Sequence, residues 1–219
     1  MTPDPALLRT EFLGLTAHFD DVALDREDLA LFFSGVSDRY GMGRFEYHAD
    51  GGATFGGPDG AEFMIRPGQV SSCGVTRLGL GEGVQRIGGL LGEAVERYSV
   101  GPMWLDDATV VAAWDLQEED AARRLLISEV TRLDDDRLAL LGGGSDLALG
   151  LRVWRNFGEG SLDCSLEPMH ADTSKIYIRL AYSQQDPLAD VPAVLGIVDR
   201  MSEFLSGSVT EFVLSLARR

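Results

Sequence analysis

An order of elements written twice along the chain constrains this sequence most. Residues 7–19, LLRTEFLGLTAHF, alternate as a strand, with Phe12 and Leu15 on either side of a glycine. A helix is expected from Asp25, with Leu29, Phe32, Phe33, Val36 and Tyr40 at the 3.6-residue period and Gly41 as its stop. Four short strands follow, at 43–48, 53–56, 60–66 and 69–77. Asp50-Gly51-Gly52 and Gly57-Pro58-Asp59-Gly60 are their turns, since glycine supplies positive φ and proline fixes φ. A helix over 83–98 closes this half, its stripe made by Val84, Ile87, Leu91, Ala94, Val95 and Tyr98. Beyond Pro102 the pattern restarts. A strand at 107–116 precedes a helix at 118–133, strands at 137–141, 146–156, 160–168 and 174–183, and a helix from the N-cap Asp190 to Gly207. A capping box, Ser208 to Glu211, announces a short final helix. The expected fold class is α+β: two tandem β-α-β-β-β-β-α repeats, residues 1–101 and 102–219, forming one continuous unit. They would share one curved antiparallel sheet with helices on one face.

That tandem order resembles the saddle of the TATA-box-binding protein family. The resemblance implies one long antiparallel sheet, helices on its convex face and a concave face left for a partner. It is a likeness of topology over nearly the whole chain. The family's paired intercalating phenylalanines in a basic sheet context are not found here, so no function comes with the fold. A duplicated ferredoxin-like or helix-grip arrangement is the alternative.

Charge bears on the partner. With 19 basic and 35 acidic residues the net charge is −16, which repels a polyphosphate backbone and disfavours nucleic acid. No apolar run of about 18 residues is present, so no membrane span is expected. The start, MTPDPALLRTEF, lacks the basic and apolar regions of a secretory signal. Lys175 is the sole lysine and Asn156 the sole asparagine, a bias of GC-rich bacterial genomes. Cys73 and Cys164 form no CxxC and read as reduced core thiols, giving a bacterial cytoplasmic expectation.

Alternation sorts the strands into two faces. Phe45, Tyr47, Phe63, Ile65, Leu147, Leu149, Leu151, Val153, Leu162, Cys164, Leu166, Ile176, Ile178 and Leu180 are expected inward. The open face then carries Arg44, His48, Arg66, Arg152, Trp154, Tyr177 and Arg179, with Met64 and Lys175 among them and Glu46, Glu62, Asp163 and Glu167 nearby. A wet sheet face with cross-strand ion pairs is one reading. A binding concavity is the other, with aromatic rings supplying contact area and arginines fixing an anionic group.

Motifs for chemistry are sparse. His18, His48 and His170 stand in no metal spacing, and no nucleophile elbow, P-loop or EF-hand occurs. His18 beside Asp20 and Asp21 is the best acid–base corner. Gly79-Leu80-Gly81-Glu82-Gly83 could face a phosphate at a helix start, which Glu82 would repel. No cofactor, metal or catalytic residue is assigned. The function expected is a non-enzymatic binding module holding a protein segment or small anionic ligand on the open face. The alternatives are a hydrolase-like enzyme using His18 or His48 with a carboxylate, and an acidic decoy for a basic protein surface. A self-complementary edge strand would allow a homodimer.

Overall fold

The computed structural model describes residues 3–75, 79–140 and 147–217. Strand β1 (Leu8–His18) leads to helix α1 (Arg26–Tyr40), and β2 (Arg44–Tyr47), β3 (Ala53–Gly56), β4 (Glu62–Arg66), β5 (Gln69–Val75) and helix α2 (Leu80–Tyr98) follow. Strand β6 (Trp104–Asp115) opens the second half. Next come α3 (Ala121–Leu125), a π-helical turn at Leu126–Thr131, α4 (Asp135–Leu140), β7 (Leu151–Phe157), β8 (Gly160–Met169) and β9 (Asp172–Ser183). The chain ends with α5 (Val191–Phe204), a second π-helical turn (Leu205–Val209) and α6 (Thr210–Ala217). All nine strands form one antiparallel sheet in the order β2-β3-β4-β5-β1-β6-β9-β8-β7. No described helix is long and apolar enough to cross a membrane.

The fold is α+β as expected, but its second half departs from the first. Residues 135–140, which overlap the expected strand 137–141, are helical, and residue 141 lies outside the described residues. The cause is local: Asp134 accepts the Arg137 N–H at 2.9 Å, the N-cap role in which aspartate satisfies a free helix donor. Among the described residues three strands, not four, follow the crossover in this half. Gly207 does not end a helix either. It sits inside the second π-helical turn, where the Thr210 hydroxyl donates to the Leu205 carbonyl at 3.0 Å and the chain runs on helically. The glycine run 142–144 and the end of the expected strand 69–77 lie outside the described residues.

Helix α1 forms as its sequence dictates. Asp25 caps it by accepting from the Glu27 and Asp28 N–H groups, and Gly41 closes it in the left-handed region at φ 69°. Its face sends Phe32 against Phe55, Phe63 and Tyr98, and Phe33 against Phe45 and Phe55. Helix α2 is packed between α1 and α5, and two successive glycines permit it. A Cβ on Gly88 would lie 2.5 Å from Leu195 Cδ1, and one on Gly89 would lie 2.5 Å from Tyr40 Oη. The inward strand residues Leu13, Leu15, Phe63, Ile65, Val110, Trp114, Leu162, Leu166, Ile178 and Leu180 join the buried helix residues in one core. The Trp114 indole N–H, buried there, donates to the Asp4 carbonyl at 2.8 Å.

Candidate functional site

The face away from the helices is built by the odd partners of these pairs. One cross-strand row runs the full width of the sheet: Arg44, Gly56, Glu62, Cys73, Gly14, Thr109, Ala181, Asp163 and Trp154. At about 4.8 Å per strand the row spans roughly 38 Å. Its ends are large and charged or aromatic, while its middle is small. A parallel row places Arg152, Ser165, Arg179, Val111 and Phe12 together. Phe12 faces out by alternation with the inward Leu13 and Leu15, and the register slip between Thr10 and Phe12 then turns Leu8 toward the core. The Phe12 ring covers Gly14, where a Cβ would meet Phe12 Cε1 at 2.9 Å.

The candidate residues fall into two groups. Arg44, His48 and Arg66 gather at the β2–β4 end, and Arg152, Trp154, Tyr177 and Arg179 at the β9–β7 end. The sheet does not bring the two groups together, since β5, β1 and β6 separate β4 from β9. The first group is occupied internally. Arg44 donates to Glu62 at 3.0 Å, His48 Nε2 lies 2.8 Å from the Thr54 hydroxyl, and Arg66 Nε stands 3.2 Å from Asp50 without a well-directed hydrogen bond. These are the cross-strand pairs of a wetted sheet face.

The second group is different. The Arg152 Nε and Nη2 atoms donate to both Asp163 oxygens, at 3.0 and 2.7 Å, and its guanidinium lies 4.9 Å from the Trp154 ring centroid. The Arg152 hydrogen bond first, and the nearby Arg179 charge further, hold the Asp163 carboxyl below the usual aspartate range. Trp154 is 73% exposed. Tyr177 and Arg179 are half-buried on the same face, and Arg179 makes no ion pair with a described residue. Val153, expected inward with Leu151, lies on the helix side of an edge strand and is 41% exposed, because edge position removes one neighbour. Leu147 and Leu149 precede the strand and are half-buried.

His18 finds a carboxylate, but not the one beside it in sequence. Its Nδ1 lies 2.7 Å from Asp106, and its ring stacks on Trp104 at 5.3 Å between centroids and 8° between planes. A second register slip, between Thr16 and Ala17 opposite 105–107, makes Asp106 the extra residue and turns it toward His18. The pair is open to solvent, with side-chain exposures of 49% and 43%. His170 lines a cavity of about 440 Å³ with Arg123, Leu149, Glu167 and Pro168. No cluster of three or more metal-ligating side chains occurs among the described residues.

The cysteines are both free. Cys164 is core as expected, and burial pushes its thiol up to about 11. Cys73 is not core. It is half-buried on the open face beside Gly14, and burial raises its thiol too. The two sit on opposite faces, four strand spacings or about 19 Å apart, beyond the reach of a disulfide of about 7 Å between Cα atoms. Fold and site together define an α+β protein with one helix-covered and one open sheet face. No protein-family model matches the chain, and no curated protein matches it.

Proposed function

We propose that the open face is a non-enzymatic binding surface for a protein segment or small anionic ligand, centred on the β7–β9 end. The observation that carries this is Trp154. A large ring is left exposed and held in place by Arg152, with Tyr177 and Arg179 on the same face. A rigid aromatic with a guanidinium beside it offers contact area at low entropic cost. Toward the middle of the sheet the face is closed, since Phe12 covers Gly14 and Thr109 is buried, which leaves the β7–β9 end as the part a partner can reach. The test is binding-induced change in Trp154 fluorescence, followed in the Arg179→Ala and Tyr177→Ala chains. A partner held equally well by these variants and by Trp154→Ala sinks the reading.

The duplicated saddle belongs to the same proposal. Strands β1 and β6 adjoin at the middle of the sheet, each flanked by the last strand of its own half, β5 and β9. That supports two tandem repeats, the second having replaced one strand by α4. The setting we infer is a reducing bacterial cytoplasm, in keeping with the two free thiols.

A hydrolase-like second reading rests on the His18–Asp106 pair. A carboxylate on Nδ1 fixes the ring and leaves Nε2 able to take a proton. Ester or phosphoester turnover abolished by both His18→Ala and Asp106→Ala would favour it over the binding module. Turnover untouched by His18→Ala would end it.

A further inference from the structure

We propose that the free edge of β7 accepts an acidic extended segment of another protein as a tenth strand. The site is distinct from the open face, since it uses the edge backbone and the helix-side residue Arg155. Among the described residues β7 pairs only with β8, so the N–H and C=O groups of its alternate residues face no other strand, the Asn156 carbonyl accepting from Arg155 Nε at 3.4 Å. The opposite edge, β2, offers only four residues. From Arg152 to Asn156 every residue of β7 is exposed, on both faces.

Charge selects the occupant. The segment Leu151–Phe157 contains two arginines and no carboxylate, in a chain of net charge −16. Arg152 already holds Asp163. Arg155 makes no ion pair with a described residue. Its guanidinium lies 5.9 Å from the Phe157 ring and 5.4 Å from the Phe204 ring of α5. Arg200, one helical turn before Phe204, reaches the same hairpin, with Nη2 3.8 Å from the Cβ position of Gly158. Two exposed guanidiniums thus lie near one hairpin, Arg155 against the Phe157 and Phe204 rings and Arg200 at Gly158. A second copy fits poorly, because edge-to-edge pairing would bring two chains of net charge −16 into contact. An acidic strand gains main-chain bonds and meets both arginines. At physiological salt the screening length is about 8 Å, so carboxylates beyond it bear little on the edge, and Glu159 opposes the arginines only at the turn end of the hairpin.

The experiment is fluorescence anisotropy on the full chain with a labelled decapeptide of alternating glutamate and valine, its lysine–valine counterpart, and two versions of the acidic peptide N-methylated at odd or at even residues. The acidic peptide is expected to bind and the lysine peptide not to. Arg155→Glu should weaken binding at least about tenfold, the loss of a charge-assisted pair. One N-methylated version should lose binding and the other keep it, because alternate N–H groups face the edge. Tyr177→Ala and Arg179→Ala, which disable the open face, should leave this binding intact, so the two proposals fail separately. Absence of binding, or equal binding of both N-methylated peptides, overturns the proposal. So does a dimer, seen by sedimentation and lost in Val153→Lys, which would give the edge to a second copy.

Discussion

Arg152 sits over the Trp154 ring at 4.9 Å while gripping both oxygens of Asp163 on the neighbouring strand. The indole is thereby fixed without being covered. Trp154→Ala removes a ring that is 73% exposed, so unfolding midpoints in urea should shift by less than about 0.5 kcal/mol equivalent. Of the three tryptophans, Trp114 is fully buried and Trp104 half-buried. Acrylamide quenching should therefore fall sharply in Trp154→Phe. A large loss of stability in Trp154→Ala would show that the ring is structural.

The glycines of α2 divide by what surrounds them. Gly92 has nothing within 4 Å of a Cβ, so Gly92→Ala should stabilise by up to about 1 kcal/mol through helix propensity. Gly89→Ala must displace the Tyr40 ring, which donates to Glu93 at 2.8 Å, and should destabilise by about 1–3 kcal/mol. Chemical denaturation of the pair checks the contrast. Equal effects would mean that α1 and α2 are not in close contact.

Acid should weaken the fold through its paired aspartates. Asp163, Asp28 and Asp120 are each held low, chiefly by hydrogen bonds from Arg152, Arg97 and Arg123, and Asp172 is held down to about 2, first by the Ser174 hydroxyl and then by Lys175. A depressed folded-state pKa gives stability that is present above the unfolded value of about 3.9 and is lost as pH falls through the folded value. Thermal midpoints should thus fall between about pH 4 and pH 2, and the Asp172→Asn chain should lose less in the lower part of that window. An identical acid profile for Asp172→Asn would contradict the assignment.

Thiol chemistry should separate the two faces. Cys73, half-buried on the open face, should react with an aromatic disulfide reagent in the native state, and Cys164 only on unfolding. The oxidised chain should show no internal disulfide by mass spectrometry. Native reactivity that survives in Cys73→Ser would place Cys164 at the surface.

Local patterns written in a few neighbouring residues were legible. The period of α1, its Asp25 cap and its Gly41 stop, and the inward sets of β4, β8 and β9 follow from side-chain periods of 3.6 and 2, which the chain obeys wherever one face must be dry. The outward placement of Trp154, Tyr177 and Arg179 follows from the same rule. Where one local signal masked another, the reading failed: RLALL carries strand-like alternation, yet Asp134 before it caps a helix. Other features depended on residues far apart in sequence. Asp106 meets His18 across 88 positions only because a bulge turns it there, and another bulge turns Leu8 to the core. The split of the candidate arginines into two ends, the separation of the cysteines and the free edge at β7 all come from strand order. That order is set by how the whole sheet buries its apolar face under the helices, a balance over the entire core that no short stretch of sequence contains.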